Sequence, residues 1–245
     1  MTGSLEFHSP LSPERARRIV ERLARSRPAT VLDVGSGWGA LLLHLLDAVP
    51  AATGVGIEIN PGDVARGRAL ARRRGLADRV EFVEESAVGT ERGPADLVLC
   101  VGSGHALTDV PGDFAGSLRE LRRLVAPGGR VLYAEGFWQR TPTDAELARM
   151  WPGAAVDDHT DLAGLVELAV GAGFRPVWTE TATEDEWEQF ESGYQAEVEE
   201  WLAAEPDHPD AAARRRKADS HRASWLSGYR TVLGMAYLTL APVGR

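Results

Sequence analysis

The sequence predicts a doubly wound α/β protein built on a parallel sheet, and two observations carry that reading. From residue 12 to residue 181, apolar runs of strand length alternate with helical patterns, the order that right-handed crossovers convert into a parallel sheet with helices on both faces. Within residues 31–40, Val-Leu-Asp-Val-Gly-Ser-Gly-Trp-Gly-Ala, an apolar strand runs through three alternating glycines into the apolar helix 41–49. A strand that turns into a helix through Gly35, Gly37 and Gly39 brings bare backbone to the electropositive helix start, where a ligand belongs. A chain of 245 residues, 44% hydrophobic, suits one such domain with an appended helical segment.

The elements follow in order. Ser12 and Pro13 open a helix that carries Ile19, Val20 and Leu23 on one face and stops before Pro28. After the glycine loop and its helix, residues 53–60 (TGVGIEIN) read as a second strand. Asn60-Pro61-Gly62-Asp63 caps a helix to about Arg74, and residues 79–84 (RVEFVE) alternate as a strand should. The run from Asp96 to Val101 is apolar from Leu97 on, as a central strand buried on both faces requires. A helix over 113–125, a strand over 130–135, a helix over 161–172 and a strand over 174–181 complete the alternation.

The tail changes character. Between Glu180 and Glu205 stand ten acidic residues and no basic ones, while Trp187, Phe190, Tyr194, Val198, Trp201 and Leu202 recur at helical spacing. That pattern is an amphipathic helix with a negative outer face. Pro206 and Pro209 break it, a second helix covers about 211–228 with Trp225 near its end, and the apolar run 231–240 reads as a last strand. Each of these aromatics has a plain packing role open to it. As a group they also suit a lid over a reaction centre, Trp187 and Tyr194 first among them.

Glu58, 19 residues beyond Gly39, stands at the spacing from which an acid hydrogen-bonds a ribose. Gly35, Gly37 and Ala40 also fit the dinucleotide pattern G-x-G-x-x-A. Asp33 two residues before the first glycine, the G-x-G-x-G spacing and the run LVAPGGRVL at 124–132 resemble the class I S-adenosylmethionine-dependent methyltransferases over roughly residues 30–180. Glu135 with Phe137-Trp138, Asp185-Glu186-Trp187 and Glu200-Trp201-Leu202 are similar to a poorly characterised bacterial small-molecule branch of that family.

The resemblance implies a Rossmann-like, mostly parallel sheet of seven strands with an antiparallel last strand and a helical lid inserted before it. The implied organisation is an N-terminal helical cap (1–29), a cofactor-binding core (30–182), a lid and substrate segment (183–230) and the last strand (231–245). It implies S-adenosylmethionine as methyl donor, S-adenosylhomocysteine as product, and in-line transfer to a small acceptor. Asp33, Gly35, Ser36, Gly37 and Gly39 would form the loop under the donor, Glu58 would accept the ribose hydroxyls with Ile59 beside it, and Val101 and Gly102 would close the far side. For adenine, Glu85, Ser86 and Ala87 hold the matching positions, with Glu85 and Ser86 both open as the polar partner.

His105 follows the fourth strand at the carboxyl end of the sheet and is the best-placed titratable group to take a substrate proton. A bond within its own loop is the plain alternative. Glu135, at the end of the fifth strand, faces the same cleft, and Tyr194 joins them as a catalytic candidate. Trp138, Trp187, Tyr194 and His105 are expected to line the acceptor pocket.

Charge and composition bound the partners. A net charge of −9 argues against a broad nucleic-acid footprint, and the clusters Arg72 to Arg74 and Arg214 to Lys217 read as solvated faces. Lys217 is the only lysine, so no core lysine can act as base. The lone Cys100 lies in an apolar strand, which reads as a small buried hydrophobe in a reducing compartment. With no signal segment and no apolar run near the 20 or so residues of a membrane span, the expectation is a cytoplasmic monomer or homodimer. Asp157, Asp158, His159 and Asp161 read as acids leading into a helix, with no metal. Two alternatives stay open: an NAD(P)-dependent oxidoreductase, and a donor-binding regulatory module without catalysis.

Overall fold

The computed structural model describes residues 5–110 and 112–244. Residues 1–4, the start of the expected N-terminal cap, lie outside the described residues, as do Pro111 and Arg245. Seven strands, β1 (Thr30–Val34), β2 (Thr53–Glu58), β3 (Val80–Glu84), β4 (Ala95–Val101), β5 (Val125–Trp138), β6 (Phe174–Thr181) and β7 (Leu233–Pro242), form one sheet in the order β3-β2-β1-β4-β5-β7-β6. Strand β1 is parallel to β2 and β4, β2 to β3, and β4 to β5, whereas β7 is antiparallel to β6. The helices are α1 (Pro13–Ala24), α2 (Ala40–Ala48), α3 (Pro61–Arg73), α4 (Phe114–Leu124), α5 (Asp144–Leu147), α6 (Leu162–Gly171), α7 (Glu184–Ala204) and α8 (Ala211–Ser224). The doubly wound sheet with an antiparallel last strand and inserted helices is thus the observed architecture. Among the described residues, the short α5, the 3-10 turns at Gly104–Leu107 and Val156–Asp158 and the π-helical turn Trp225–Tyr229 carry no sequence signal of their own.

Local chemistry sets the starts of these helices. Ser12 Oγ accepts Arg15 N–H at 3.2 Å, Asn60 Oδ1 accepts Gly62 N–H at 2.9 Å, and Asp113 Oδ1 accepts Gly116 N–H at 2.7 Å. Helix α7 opens on a capping box, Thr183 N–H donating to Glu186 Oε2 at 2.8 Å and Glu186 N–H to Thr183 Oγ1 at 3.3 Å. Helix α2 buries Leu41, Leu42, Leu43, Leu45 and Leu46; at about 2 kcal/mol each, that burial outweighs its lack of a side-chain cap.

Strand β5 is longer than the expected 130–135 because Pro-Gly-Gly bulges out of a strand that has already begun. Ala95 pairs with Val125, the next pair is Leu97 with Arg130, and residues 126–129 stand opposite Asp96 alone. A Cβ on Gly129 would lie 2.6 Å from the Asp96 carbonyl oxygen, and Gly128 sits at φ +76°, so the bulge depends on both glycines.

The chain divides into two compact units: a sheet unit of Ser12–Glu135, Ala163–Thr181 and Ala236–Arg245, and a helical unit of the chain before Ser12 with Gly136–Leu162 and Ala182–Met235. These boundaries differ from the expected ones. Helix α1 belongs with the sheet, where Arg15 and Arg22 bind Glu180 of β6 at 2.9 and 2.8 Å. Residues beyond Glu135 leave with the inserted helices because Trp138, Met150, Tyr229 and Val232 form one buried cluster.

In the sheet unit, Phe82 of β3 is ringed by glycines: a Cβ on Gly39, Gly56 or Gly67 would lie 2.3, 2.8 or 2.9 Å from its ring. The missing side chains let α2 and α3 sit close on the sheet and fix where the glycine loop ends.

Candidate functional site

The sheet unit gathers its functional candidates at the carboxyl ends of β1 to β5. The glycine loop leaves β1 with Gly35, Gly37 and Gly39 all at positive φ, +60°, +54° and +66°, which favours glycine at each. Their environments differ. A Cβ on Gly35 would strike Ser103 Cβ at 2.5 Å and one on Gly39 would strike Phe82, whereas nothing lies within 4 Å of one on Gly37. Two of the three glycines therefore serve packing, and Gly37 alone of them faces open space.

Glu58, at the end of β2, braces that loop. Its Oε2 accepts Gly37 N–H at 2.9 Å and its Oε1 accepts Asn60 N–H at 2.8 Å. Each oxygen keeps a second acceptor direction, so the carboxylate is oriented by backbone on one side and can receive two hydroxyls on the other. Ser36 supports the turn through its N–H to Ile57 O at 2.9 Å and its carbonyl to Gly39 N–H at 2.8 Å.

Asp33 is 6% exposed in β1, and burial, followed by the charge of Glu58, pushes its pKa up to about 8. A buried carboxyl of this kind favours a cationic partner that restores its charge. Cys100 in β4 is fully buried and its thiol is raised to about 12, chiefly by burial. It is the inert small hydrophobe the sequence suggested. Ser103 Oγ donates to Val34 O at 2.6 Å and ties the post-β4 loop to β1.

After β3, Glu85 is gripped by Arg92, which donates to both carboxylate oxygens at 2.6 and 2.9 Å and lowers its pKa. Ser86 is exposed and its hydroxyl accepts Val88 N–H at 3.3 Å, while Ala87 is buried. Ile59 is 72% exposed and Val88 39%, an apolar pair on either side of Ser86 in sequence that has no core to fill.

Gly102, at φ +67°, donates its N–H to Ala134 O at 2.8 Å and follows the half-buried Val101. His105 is exposed on the next turn, with no hydrogen bond to a described residue. Glu135, at the end of β5, accepts Tyr133 O–H at 3.4 Å, and a Cβ on Gly104 would lie 2.6 Å from its Oε2. Gly104 thereby leaves room for the carboxylate beside His105. Tyr133 is fully buried, and burial together with Glu135 raises its phenol well above the usual value.

The helical unit holds the remaining candidates. Trp138 corrects an expectation: at 4% exposed it stacks on Trp151 at 6.2 Å, meets His159 edge-on at 5.0 Å and donates to Val156 O at 2.8 Å. It is core, because Met150, Tyr229 and Val232 pack with it at the end of β5. Trp187 packs on Tyr229 at 6.2 Å, and its buried indole N–H has no acceptor. It lines a surface pocket with Trp225, Tyr229, Glu184, Glu188 and Arg230. Tyr194 is 37% exposed, stacked on His8 at 6.3 Å and 5.1 Å from His221. Asp158 accepts Trp151 Nε1–H at 3.0 Å and Ala155 N–H at 3.1 Å, which gives that acid a structural task. Among the described residues no group of three or more His, Cys, Asp or Glu could hold a metal ion, and no helix is long and apolar enough to cross a membrane.

Sequence reasoning missed the buried Glu191, which binds Tyr229 Oη and His221 Nε2, each at 2.7 Å. Glu191 lies far from the other two along the chain, and the signal was a glutamate on the aromatic face of α7.

Comparison with known proteins gives concordant findings. The family described as methyltransferase domain matches residues 32–131. The uncharacterized protein YjhP of Escherichia coli is 30% identical over 211 residues, covering 85% of this chain and 83% of that one. The structure of an SAM-dependent methyltransferase from Geobacter sulfurreducens in complex with S-adenosyl-L-homocysteine superposes with a TM-score of 0.86 at 28% identity, covering 98% of this chain and 95% of that one. The ubiquinone biosynthesis O-methyltransferase of Sodalis glossinidius is 36% identical over 124 residues, 51% of this chain and 48% of that protein.

Proposed function

The chain belongs to the class I S-adenosylmethionine-dependent methyltransferases, and from that premise we propose that it methylates a small-molecule acceptor. Its cofactor is S-adenosylmethionine, which supplies an electrophilic sulfonium methyl. The observation that carries the reading is the Glu58-braced loop with Gly37 open to solvent.

The residues present fit that cofactor. The space beside Gly37 is space a Cβ would fill, Glu58 presents two oriented acceptors for the ribose hydroxyls, and buried Asp33 favours a cation such as the donor's amino group. Gly35, Ser36 and Gly39 shape the loop, and Val101 and Gly102 close its far side. Ile59 and Val88 offer apolar surface for adenine, with Ala87 behind. Ser86 is the better polar partner there, because Arg92 already occupies both oxygens of Glu85.

On the acceptor side, His105 and Glu135 of the sheet unit are assigned as contacts. The protein's part is orientation and dryness: holding the acceptor's heteroatom in line is worth about 7–11 kcal/mol in favourable cases. A small acceptor is supported by the net charge of −9, which disfavours polyanions, and by the ubiquinone-pathway name of one partial relative.

Calorimetry with S-adenosylmethionine, S-adenosylhomocysteine and NAD tests the premise. Transfer of labelled methyl to phenols, amines, thiols and carboxylates, against protein and RNA, tests the acceptor class. Uptake of the first two ligands with label on a small molecule is expected; label only on macromolecules overturns the reading.

A further inference from the structure

In the helical unit, α7 and the turn before β7 border a surface pocket of about 280 Å³ that opens to solvent, and every residue lining it belongs to that unit. Its walls are aromatic. Trp187 comes from α7, and the π-helical turn Trp225–Tyr229 supplies Trp225 and Tyr229. The Trp187 and Tyr229 rings stand 6.2 Å apart at 58°, so they meet as two sides of a corner and not as a stack. The wall is not closed by its own hydrogen bonds, because the buried indole N–H of Trp187 has no acceptor among the described residues.

The electrostatics of this corner favour positive charge. An aromatic face carries the negative part of the ring quadrupole and attracts a cation within about 6 Å of the ring centre. Tyr229 is reinforced in this by its partner: its O–H donates to the buried Glu191 at 2.7 Å, which fixes the ring and polarises it toward greater electron density. Exposed Glu184, Glu188 and Arg230 stand where the pocket meets solvent. Arg230 Nη2 lies 2.5 Å from Glu188 Oε1 and 3.4 Å from Glu184 Oε1. One guanidinium thus faces two carboxylates, and a negative charge is left over. The backbone departs from regular geometry twice around the same space, in the π turn and at Thr231, a β-branched residue held at φ +64°, and departures of this kind concentrate at ligand sites.

We propose that this pocket binds a small organic cation of the alkylammonium class, its charge set against Trp187, Trp225 and Tyr229 and balanced by Glu184 and Glu188. An alkylammonium suits these walls better than a metal ion, which would need a shell of oxygen ligands where the pocket presents rings and Leu233. The inference goes beyond the methyl-transfer reading. Its test uses neither methyl donor nor turnover, so the two stand or fall separately.

Calorimetry on the whole protein with three probes tests it: choline, tetramethylammonium, and the neutral analogue of choline in which carbon replaces nitrogen. Both cations should bind saturably, and the neutral analogue at least about 10-fold more weakly. Trp225→Leu removes one ring face and keeps the wall apolar, so it should weaken both cations about 10-fold and leave the neutral analogue unchanged. A merely structural role of Trp225 would move all three probes alike. Glu188→Gln should weaken the cations about 3-fold, and Arg230→Gln should tighten them by a similar factor because both carboxylates then face the ligand. Absence of choline uptake overturns the proposal, as does a neutral analogue that binds as tightly as choline, or cation binding that none of the three substitutions moves. Should Trp225→Leu not fold, the order of the probes on the unaltered protein and the sign of the Arg230→Gln effect decide: weaker cation binding in R230Q overturns the proposal.

Discussion

Glu58 Oε2 accepts the Gly37 N–H at 2.9 Å, so the acid that would grip a ribose also holds the loop beside it in shape. Binding and preorganisation meet in one carboxylate. Replacing it with glutamine leaves one accepting oxygen and introduces a donor that faces a backbone N–H. Charge-assisted hydrogen bonds contribute about 1.5–3 kcal/mol each, so Glu58→Gln should weaken S-adenosylmethionine affinity at least 10-fold by calorimetry. Its melting temperature should fall by only a few degrees.

The glycines of the loop should respond differently to the same methyl group. Gly39→Ala meets both a positive φ of +66° and the Phe82 ring 2.3 Å away, so it should destabilise the fold by more than about 2 kcal/mol in urea titration. Gly37→Ala carries only the backbone cost of about 1 kcal/mol, since nothing lies within 4 Å. Its loss should appear in cofactor affinity instead. A Gly37→Ala protein that binds normally would remove the donor from this loop.

Asp33 makes the ligand-free protein sensitive to pH. Its pKa is about 8 in the fold, raised by burial and then by Glu58, against the usual 3.8. The folded value lies above the unfolded one, so the contribution of this group is complete below about pH 4 and fades as pH rises toward 8. Asp33→Asn should flatten the fall of melting temperature over that window, with the variant the more stable of the two at pH 8. Cofactor binding should release a proton below pH 8 if the donor's cation restores the carboxylate, which calorimetry in two buffers of different ionisation enthalpy would detect.

The sheet and the glycine loop were legible because their signals are local: period, glycine spacing, and an acid one strand later. Contacts between distant segments were not. Nothing near Gly35 or Gly39 announces Ser103 or Phe82, and no spacing joins Glu191 to His221 and Tyr229. The burial of Trp138 was not legible either, because its partners Trp151, Val156 and His159 come later in the chain, at no spacing that announces them. One distant contact did leave a trace: Arg15 and Arg22 stand two turns apart on the face of α1 that carries Ile19, an odd place for two charges unless an acid waits opposite.

That acid is Glu180. Arg15 Nη1 donates to its Oε2 at 2.9 Å and Arg22 Nη1 to its Oε1 at 2.8 Å, with the three side chains between 8% and 18% exposed. Arg22 also lies over the Trp178 ring at 4.4 Å, so its guanidinium is held from two sides. Removing the carboxylate charge strands two cations in a poorly hydrated place, whereas removing all three charges does not. Glu180→Gln should therefore lower stability by about 3 kcal/mol in urea titration, and the triple change Arg15→Met, Arg22→Met, Glu180→Leu should recover most of that loss. Equal destabilisation by the single and the triple change would mean that packing of these side chains, rather than their charge, fixes α1 to β6.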